Sequence, residues 1–81
     1  TYKALRLYAE GEQPIREAAM AKLYTSEVAF HVADECVQVH GGYGYMMEFP
    51  AQRAWRDSRL GPIGGGTSEI MRELIGRTYG L

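Results

Sequence analysis

The amino-acid sequence predicts an all-α fold: part of an antiparallel helical bundle, made of the end of one helix and three further helices. Apolar residues recur at intervals of three and four along most of the 81 residues, which is the spacing of one helix face. Glycine-rich connections at residues 41–44 and 61–66 separate the segments. Pro14 and Pro50 stand where new helices would begin, because the first turn of a helix does not need their missing N–H.

The longest predicted helix covers residues 14–40 and follows a short one over residues 1–9. It carries two apolar stripes at helical spacing. Together they form a wide arc that a single neighbouring helix would not cover, so we expect partners on two sides of this helix. The first stripe consists of Ala19, Leu23, Ser26, Phe30, Ala33 and Val37, and the second stripe consists of Met20, Tyr24, Val28, Val32 and Cys36.

A third helix is predicted over residues 50–60. Its charged residues Arg53 and Asp57 are four positions apart, a spacing at which opposite charges pair on a helix. The side chains expected to face inward are those of Ala51, Ala54 and Trp55.

A fourth helix follows the second glycine-rich connection, with Thr67 or Ser68 as its N-cap. The connection over residues 43–49 is aromatic and too apolar for a free loop, so we expect it to pack against the helices. The apolar face of the fourth helix is expected to consist of Ile70, Met71, Leu74 and Ile75.

Composition excludes several classes of function. The net charge of -1 argues against a nucleic-acid-binding module, which would show a basic excess. No apolar run approaches the roughly 18 residues of a membrane span, and no signal peptide is visible.

Cys36, the one cysteine, excludes an internal disulfide, and its apolar helical context predicts a buried, inert thiol. Because the chain opens at Thr1 and enters helix-like sequence at once, we expect it to be part of a longer polypeptide.

The first glycine-rich connection does not fit a dinucleotide-binding motif. After Gly42-x-Gly44 the third glycine would have to stand at Met47, and the segment follows a helix rather than a strand. One reading is a helix C-cap at Gly41 followed by a tight turn. The other is close approach of the backbone to another body, since one cap needs only one glycine.

The second glycine-rich connection, PIGGGTSEI over residues 62–70, precedes a helix start. It lacks the lysine of a phosphate-binding P-loop. Free backbone N–H groups at a helix N-terminus donate to phosphate, carbonyl or ring oxygens, and the side chains of Thr67 and Glu69 add further polar contacts. The alternative is a flexible linker capped by Thr67.

No metal site or catalytic triad is predicted. His31 and His40 are nine positions apart without matching cysteine or carboxylate ligands, and His40 is expected to cap or pack. No Ser/His/Asp set can be assembled. The arginines of the third helix are expected to form a solvated or interface-pairing face rather than an anion site.

The order of these motifs resembles the C-terminal domain of flavin-dependent acyl-CoA dehydrogenases, over nearly all of the chain. The glycine-glycine-glycine-threonine-serine-glutamate stretch is most similar to isovaleryl- and long-chain-type and bacterial members. The motifs are Glu17-Ala18-Ala19-Met20-Ala21-Lys22, Ser26-Glu27-Val28-Ala29, Gln38-x-x-Gly41-Gly42-x-Gly44-Tyr45, Phe49-Pro50, Arg56-Asp57 and Gly66-Thr67-Ser68-Glu69-Ile70-x-Arg72.

The resemblance implies that residues 1–81 are part of the C-terminal α-helical domain of such an enzyme, beside an N-terminal helical domain and a middle β domain. It implies FAD as cofactor, an acyl-CoA substrate, electron-transfer flavoprotein as acceptor and a homotetramer, with no nucleic-acid or membrane partner. The implied location is the mitochondrial matrix in a eukaryote and the cytoplasm in a bacterium. The 81-residue chain alone is expected to be inactive.

The resemblance also implies roles for individual residues. By that resemblance, one group contacts the FAD of a neighbouring subunit, a second group makes further FAD contacts, and two glycines form the wall along which the acyl-CoA thioester lies. The group at the neighbouring subunit's FAD consists of Gln38, Gly41 and Gly42. The further FAD contacts are Thr67, Ser68 and Glu69, and the two wall glycines are Gly65 and Gly66.

One position departs from the pattern of many family members. They carry the catalytic glutamate immediately before the Gly-Thr pair, where this sequence has Gly65. Isovaleryl- and long-chain-type enzymes take their base from an earlier helix, which would lie upstream of Thr1, so no catalytic residue is assigned here. Glu48 and Glu69 are poorer candidates. The alternative is a non-catalytic helical module, derived from the family, that serves assembly or binding.

Overall fold

The computed structural model describes residues 1–80, and every regular secondary-structure element in that range is a helix, as predicted. Each predicted helix is present, and those expected at Pro14 and Pro50 begin one residue later, with the proline as N-cap. One additional single-turn helix was not predicted, because four residues are too few to show a period. The elements are α1 (Tyr2–Ala9), α2 (Ile15–His40), α3 (Gly42–Tyr45), α4 (Ala51–Ser58) and α5 (Ser68–Thr78).

Helices α4 and α5 lie one after the other along α2, and both run antiparallel to it. Trp55 of α4 donates its indole N–H to Asp34 of α2 at 3.0 Å. Farther along the chain, Arg72 of α5 contacts Glu27 at 2.9 Å. The partners on α2 move toward its N-terminus as the chain advances, which confirms the antiparallel arrangement. The molecule is a slab of 47 × 26 × 17 Å.

The first stripe of α2 forms the seam against α4 and α5. Ala19 and Ala33 are buried, and the other four members of the stripe are half-buried. Met71 of α5 is the largest buried apolar side chain among the described residues, and none of their side chains is fully enclosed. The hydrophobic core along this seam is therefore small, as expected for so short a chain.

The second stripe of α2 is exposed along its whole length. Tyr24 is 71% and Val32 52% exposed, so this chain covers only one of the two sides for which we expected partners. The prediction of a buried Cys36 is wrong, because Cys36 belongs to this stripe and is exposed. Its apolar neighbours were identified correctly, but no helix of the described chain covers them.

Helix α4 differs from its predicted orientation. Gln52 is buried, whereas Ala54 and Trp55 are exposed. Trp55 rests on the rim of α2, with its ring centroid 6.2 Å from that of Phe30. The predicted pair of Arg53 with Asp57 is not among the ion pairs of residues 1–80; both side chains are exposed, where water competes with such pairs.

In α5, Met71 is buried and Leu74 and Ile75 are half-buried, as expected, but Ile70 is 46% exposed. The aromatic connection packs only in part. The rings of Tyr43 and Phe49 meet edge to face at 5.4 Å, while Tyr45 is 81% exposed. Within residues 1–80, no helix is both long enough and apolar enough to cross a membrane.

Candidate cofactor and substrate site

The glycine-rich loop over residues 61–66 is a closed series of turns. The N–H groups of Ile63 and Gly64 donate to the carbonyl oxygen of Leu60 at 2.9 and 2.7 Å. The N–H of Ser68 then reaches back to the carbonyl of Pro62 at 3.1 Å. The loop is therefore ordered by its own backbone, and it is not the flexible linker of the alternative reading.

Two of the loop glycines are required by the backbone itself. Gly65 has a φ of 70° and Gly66 a φ of 115°, values that residues with a side chain rarely adopt. A Cβ at Gly66 would also lie 2.5 Å from Cε of Met71, whereas a Cβ at Gly65 would meet nothing within 4 Å. Gly66 is thus explained by the fold, and Gly65 faces open space.

The start of α5 presents unused donors beside this open space. Thr67 is the N-cap, as predicted, and its Oγ1 accepts the N–H of Ile70 at 3.2 Å. The N–H groups of Gly65, Gly66 and Thr67 donate to no backbone carbonyl of residues 1–80. A row of free amides at a helix N-terminus is a site for an anion or for a carbonyl oxygen that gains negative charge.

Ser68 adds a buried polar atom to the same region. Its Oγ is buried and has no hydrogen-bond partner within the described residues. Ser68 borders a cavity of about 330 Å³ whose lining also includes the ion-paired Arg72 and Glu27. Buried hydroxyl groups nearly always have partners, so the lone Ser68 hydroxyl suits a ligand that carries oxygen or nitrogen atoms. The remaining lining residues are Phe30, Arg59, Pro62, Ile63, Thr67 and Glu69.

Lys22 is the residue of this region that the sequence analysis did not assign to a role. Its ammonium group donates to the carbonyl oxygen of Gly61 at 2.7 Å and also to that of Gly66. Lys22 therefore ties both ends of the loop to α2. The signal was present in the sequence: Lys22 lies three positions after Ala19 and four before Ser26, on the face that the first stripe marks as internal.

The other predicted contact residues form a separate corner at the end of α2. Gly41 caps the helix with a φ of 61°, and its N–H donates to the carbonyl of Gln38 at 3.1 Å. Gln38, Gly41 and Gly42 are all exposed. His40 packs back on its own helix, as expected, with Nδ1 donating to the carbonyl of Cys36 at 2.7 Å.

The third glycine of this corner is explained by the chain itself. A Cβ at Gly44 would lie 2.6 Å from the carbonyl oxygen of Val37, so α3 approaches the last turns of α2 too closely for a side chain. At Gly42 a Cβ would meet nothing within 4 Å. The body that approaches Gly44 is therefore α2, and Gly41, where a Cβ would likewise meet nothing within 4 Å, remains open to a partner together with Gly42.

The two groups of predicted contact residues do not converge. The loop is held at Lys22, and Gln38 lies 16 residues farther along α2, a distance of about 24 Å along a helix axis. A single small ring system cannot touch both groups. In residues 1–80 no cluster of three His, Cys, Asp or Glu residues is placed to bind a metal ion.

The sequence and the fold both match known proteins. The chain is 58% identical over 60 residues to the long-chain specific acyl-CoA dehydrogenase, mitochondrial, of Mus musculus, covering 74% of this chain and 14% of that protein. It superposes on an acyl-CoA dehydrogenase from Geobacillus kaustophilus with a TM-score of 0.92 and 39% identity, covering 98% of this chain and 21% of the other.

A structure described as the electron transferring flavoprotein of Acidaminococcus fermentans, with flavin-based electron bifurcation as its subject, contains a similar chain. The TM-score is 0.91 at 40% identity, over 96% of this chain and 20% of that one. The chain thus spans about a fifth or less of these relatives. The family model for the acyl-CoA dehydrogenase C-terminal domain matches residues 1–80. The chain therefore belongs to the acyl-CoA dehydrogenase family, as the motifs indicated.

Proposed function

We propose that this chain works as the C-terminal helical part of an FAD-dependent acyl-CoA dehydrogenase, an oxidoreductase that forms a double bond between the α and β carbons of an acyl-CoA thioester. Within that enzyme it supplies FAD contacts, a wall of the substrate site and a subunit interface. The observation that carries the proposal is the row of free amides from Gly65 to Thr67 in front of α5, on a chain that matches the family over residues 1–80.

The residues at the start of α5 fit the polar parts of FAD. The Ser68 hydroxyl is buried without a partner, and a cofactor rich in ring and phosphate oxygens would satisfy it. Thr67 and Glu69 stand beside it at the positive end of the helix. We therefore assign Thr67, Ser68 and Glu69 to FAD binding. The flavin, when bound, supplies the redox chemistry by accepting a hydride from the substrate.

The chain's own contribution to the reaction is to hold the thioester and polarise it. Gly65 is exposed, and no atom stands within 4 Å of where its side chain would begin. A thioester carbonyl placed there receives N–H donors from Gly65 and Gly66. Such donors stabilise the negative charge that develops on the carbonyl oxygen as the α-proton is removed.

The base that removes this proton comes from another part of the enzyme. Gly65 occupies the position of the catalytic glutamate in many relatives and has no carboxylate. Glu48 and Glu69 are exposed, and Glu69 is used at the helix start. We assign no catalytic residue within this chain, and we expect the 81 residues by themselves to show no turnover with any acyl-CoA.

The corner formed by Gln38, Gly41 and Gly42 is assigned to a second FAD, held mainly by a neighbouring subunit. Its separation of about 24 Å from Lys22 supports this assignment, because one flavin ring would not reach both places. The exposed second stripe of α2 supports burial between subunits, in a homotetramer. The same stripe would also serve a non-catalytic assembly module, which is the second candidate.

The similar chain in the structure of an electron transferring flavoprotein from Acidaminococcus fermentans supports an electron-transferring flavoprotein as the acceptor. The mitochondrial relative from Mus musculus supports a mitochondrial location for a eukaryotic enzyme, and we propose the cytoplasm for a bacterial one.

A chimera tests the proposal against the assembly-module alternative. Residues 1–80 replace the matching segment of the mouse long-chain enzyme, which supplies the remaining domains and the base. We expect the chimera to purify with flavin absorbance that an acyl-CoA bleaches. A folded chimera that binds flavin but is not bleached contradicts the substrate-wall role. A folded chimera without flavin contradicts the proposal as a whole and favours the assembly module.

A further inference from the structure

Lys22 holds the glycine-rich loop at its two ends. Its ammonium group donates to the carbonyl oxygens of Gly61 and Gly66, which lie 39 and 44 positions away in the chain. Bonds from a charged donor are shorter and stronger than neutral ones. No other charged side chain of the described residues contacts the backbone of this loop.

The contact with Gly66 fixes the direction of one peptide plane. In a trans peptide the C=O and the following N–H point in opposite directions, and residues 1–80 contain no cis bond. With its carbonyl drawn toward α2, the peptide that joins Gly66 to Thr67 directs the Thr67 N–H away from α2. That N–H is one of the free donors beside the open space at Gly65.

The loop has little else to hold that plane. Glycine has more backbone freedom than any other residue, and residues 64–66 are all glycine. Two hydrogen bonds to the Leu60 carbonyl and one from Ser68 to the Pro62 carbonyl order the rest of the loop, but among the described residues the Gly66 carbonyl accepts a hydrogen bond only from Lys22. Without the ammonium group, no hydrogen bond within the described residues would fix the orientation of this peptide.

We propose that Lys22 is a positioning residue: it anchors the glycine-rich loop so that its backbone amides face the ligand. The inference rests on the proposed function, because it names what holds the proposed substrate wall in place. Lys22 does not touch the reacting atoms. The competing view is that Lys22 merely joins α2 to the loop and affects stability alone.

The first test measures loop order in the 81-residue chain by amide hydrogen exchange. Lys22→Met keeps the aliphatic stem and removes the donors, and we expect faster exchange over residues 61–67 with the helical circular dichroism retained. Lys22→Arg keeps charge and donors and is expected to recover part of the protection. Lys3→Met is the matched control, since Lys3 is the other lysine of the chain and makes only a surface pair of 3.9 Å with Glu17.

The chain's two lysines allow a measurement that needs no variant. In the ¹⁵N spectrum of the side-chain ammonium groups, Lys22 is expected to exchange its protons with water more slowly than Lys3. This keeps the inference testable if Lys22→Met does not fold. In a sample whose circular dichroism shows the helical fold, equal exchange at the two lysines would show that the clamp is absent, and would overturn the proposal.

The second test uses the chimera described above. Lys22→Met is expected to lower kcat about 10- to 100-fold, the scale of a misplaced donor set, while KM changes less than about threefold and flavin content stays the same. Lys22→Arg restores part of kcat, and Lys3→Met stays within about twofold of the parent chimera.

Two outcomes overturn the proposal differently. If Lys22→Met loosens the loop but leaves kcat unchanged, Lys22 is a structural tie and not a positioning residue. If the unmutated chimera binds no flavin or is not bleached, the proposed function is wrong. The proposed effect of Lys22 on catalysis is then wrong as well. The hydrogen-exchange data on the 81-residue chain test the contact between Lys22 and the loop without the chimera. A failure of the proposed function is therefore distinguished from a failure of the Lys22 inference.

Discussion

Arg16 of α2 binds Thr78 of α5 through two atoms at once. Its Nε donates to the hydroxyl Oγ1 at 2.9 Å, and its Nη2 donates to the main-chain carbonyl at 2.8 Å. The guanidinium also lies 3.7 Å from the ring centroid of Tyr79. These contacts join the start of the long helix to the end of the last one, across 62 positions of sequence.

Arg16→Ala is therefore expected to destabilise the chain by about 1–3 kcal/mol, because hydrogen bonds from a charged donor are worth more than neutral ones. Arg16→Lys should recover less than half of this, since an ammonium cannot reproduce the fork of donors. Urea unfolding at low micromolar concentration measures the change. Arg53→Ala, on the exposed face of α4, is the control, and an equal effect from both variants would contradict the assigned role.

The exposed second stripe leads to a prediction about association. A contiguous apolar surface on a small soluble chain drives self-association, so the 81-residue chain is expected to form oligomers, or to be partly unfolded, at high micromolar concentration. Val32→Glu should shift sedimentation toward monomer because Val32 is an exposed member of the stripe. His31→Glu adds the same side chain at the adjacent position on the polar face and should leave association unchanged. A rigid, well-folded monomer of the unmutated chain would contradict the prediction.

Two neighbouring glycines should separate stability from cofactor binding. Gly44→Ala places a Cβ 2.6 Å from the carbonyl of Val37 and is expected to cost about 1–3 kcal/mol through overpacking. Gly42→Ala meets nothing within 4 Å and needs no positive φ, so the stability should change by less than about 0.5 kcal/mol. If Gly42 lies against FAD, this second variant of the chimera should instead lose flavin on dilution. Loss of stability at Gly42 with normal flavin retention would contradict both assignments.

Gly65 offers a test of the proposed reaction geometry. In the chimera, Gly65→Glu with the original base changed to Gln should restore part of the activity, because relatives place their carboxylate at either of two backbone positions. The left-handed backbone at Gly65 costs a side-chain-bearing residue roughly 1–2 kcal/mol, so the recovery should be incomplete. Gly65→Gln in the same background is the matched control and should remain inactive.

The single change Gly65→Glu, with the original base kept, should lower activity. Two carboxylates near one proton raise the apparent pKa of the pair. Because the ionised form is the active base, the rising limb of the pH profile should move to higher pH. Flavin bleaching across a pH series measures this. A double variant as inactive as the base-deleted chimera, with FAD and substrate still bound, would show that position 65 does not face the α-proton.

The sequence by itself determined the helices, their caps and the family. Helix periodicity depends on residues three and four apart, and the cap at Thr67 depends on an N–H three positions later. Both features can therefore be predicted from short segments of sequence. The helix end at Gly41 and the helix starts at the prolines before α2 and α4 could be predicted for the same reason. The order of the glycine motifs was enough to identify the family, and the residues assigned to FAD stay a proposal.

Only the tertiary structure decided which faces are covered and what holds the site. Lys22 meets Gly61 and Gly66 because α4 and α5 fold back along α2, and no local pattern encodes a contact across some 40 positions. The exposure of Cys36 depended on whether a helix covers the second stripe, which its apolar neighbours could not reveal. Gly44 is a glycine because of the Val37 carbonyl and Gly66 because of its φ of 115°, and both conditions exist only once the chain has folded.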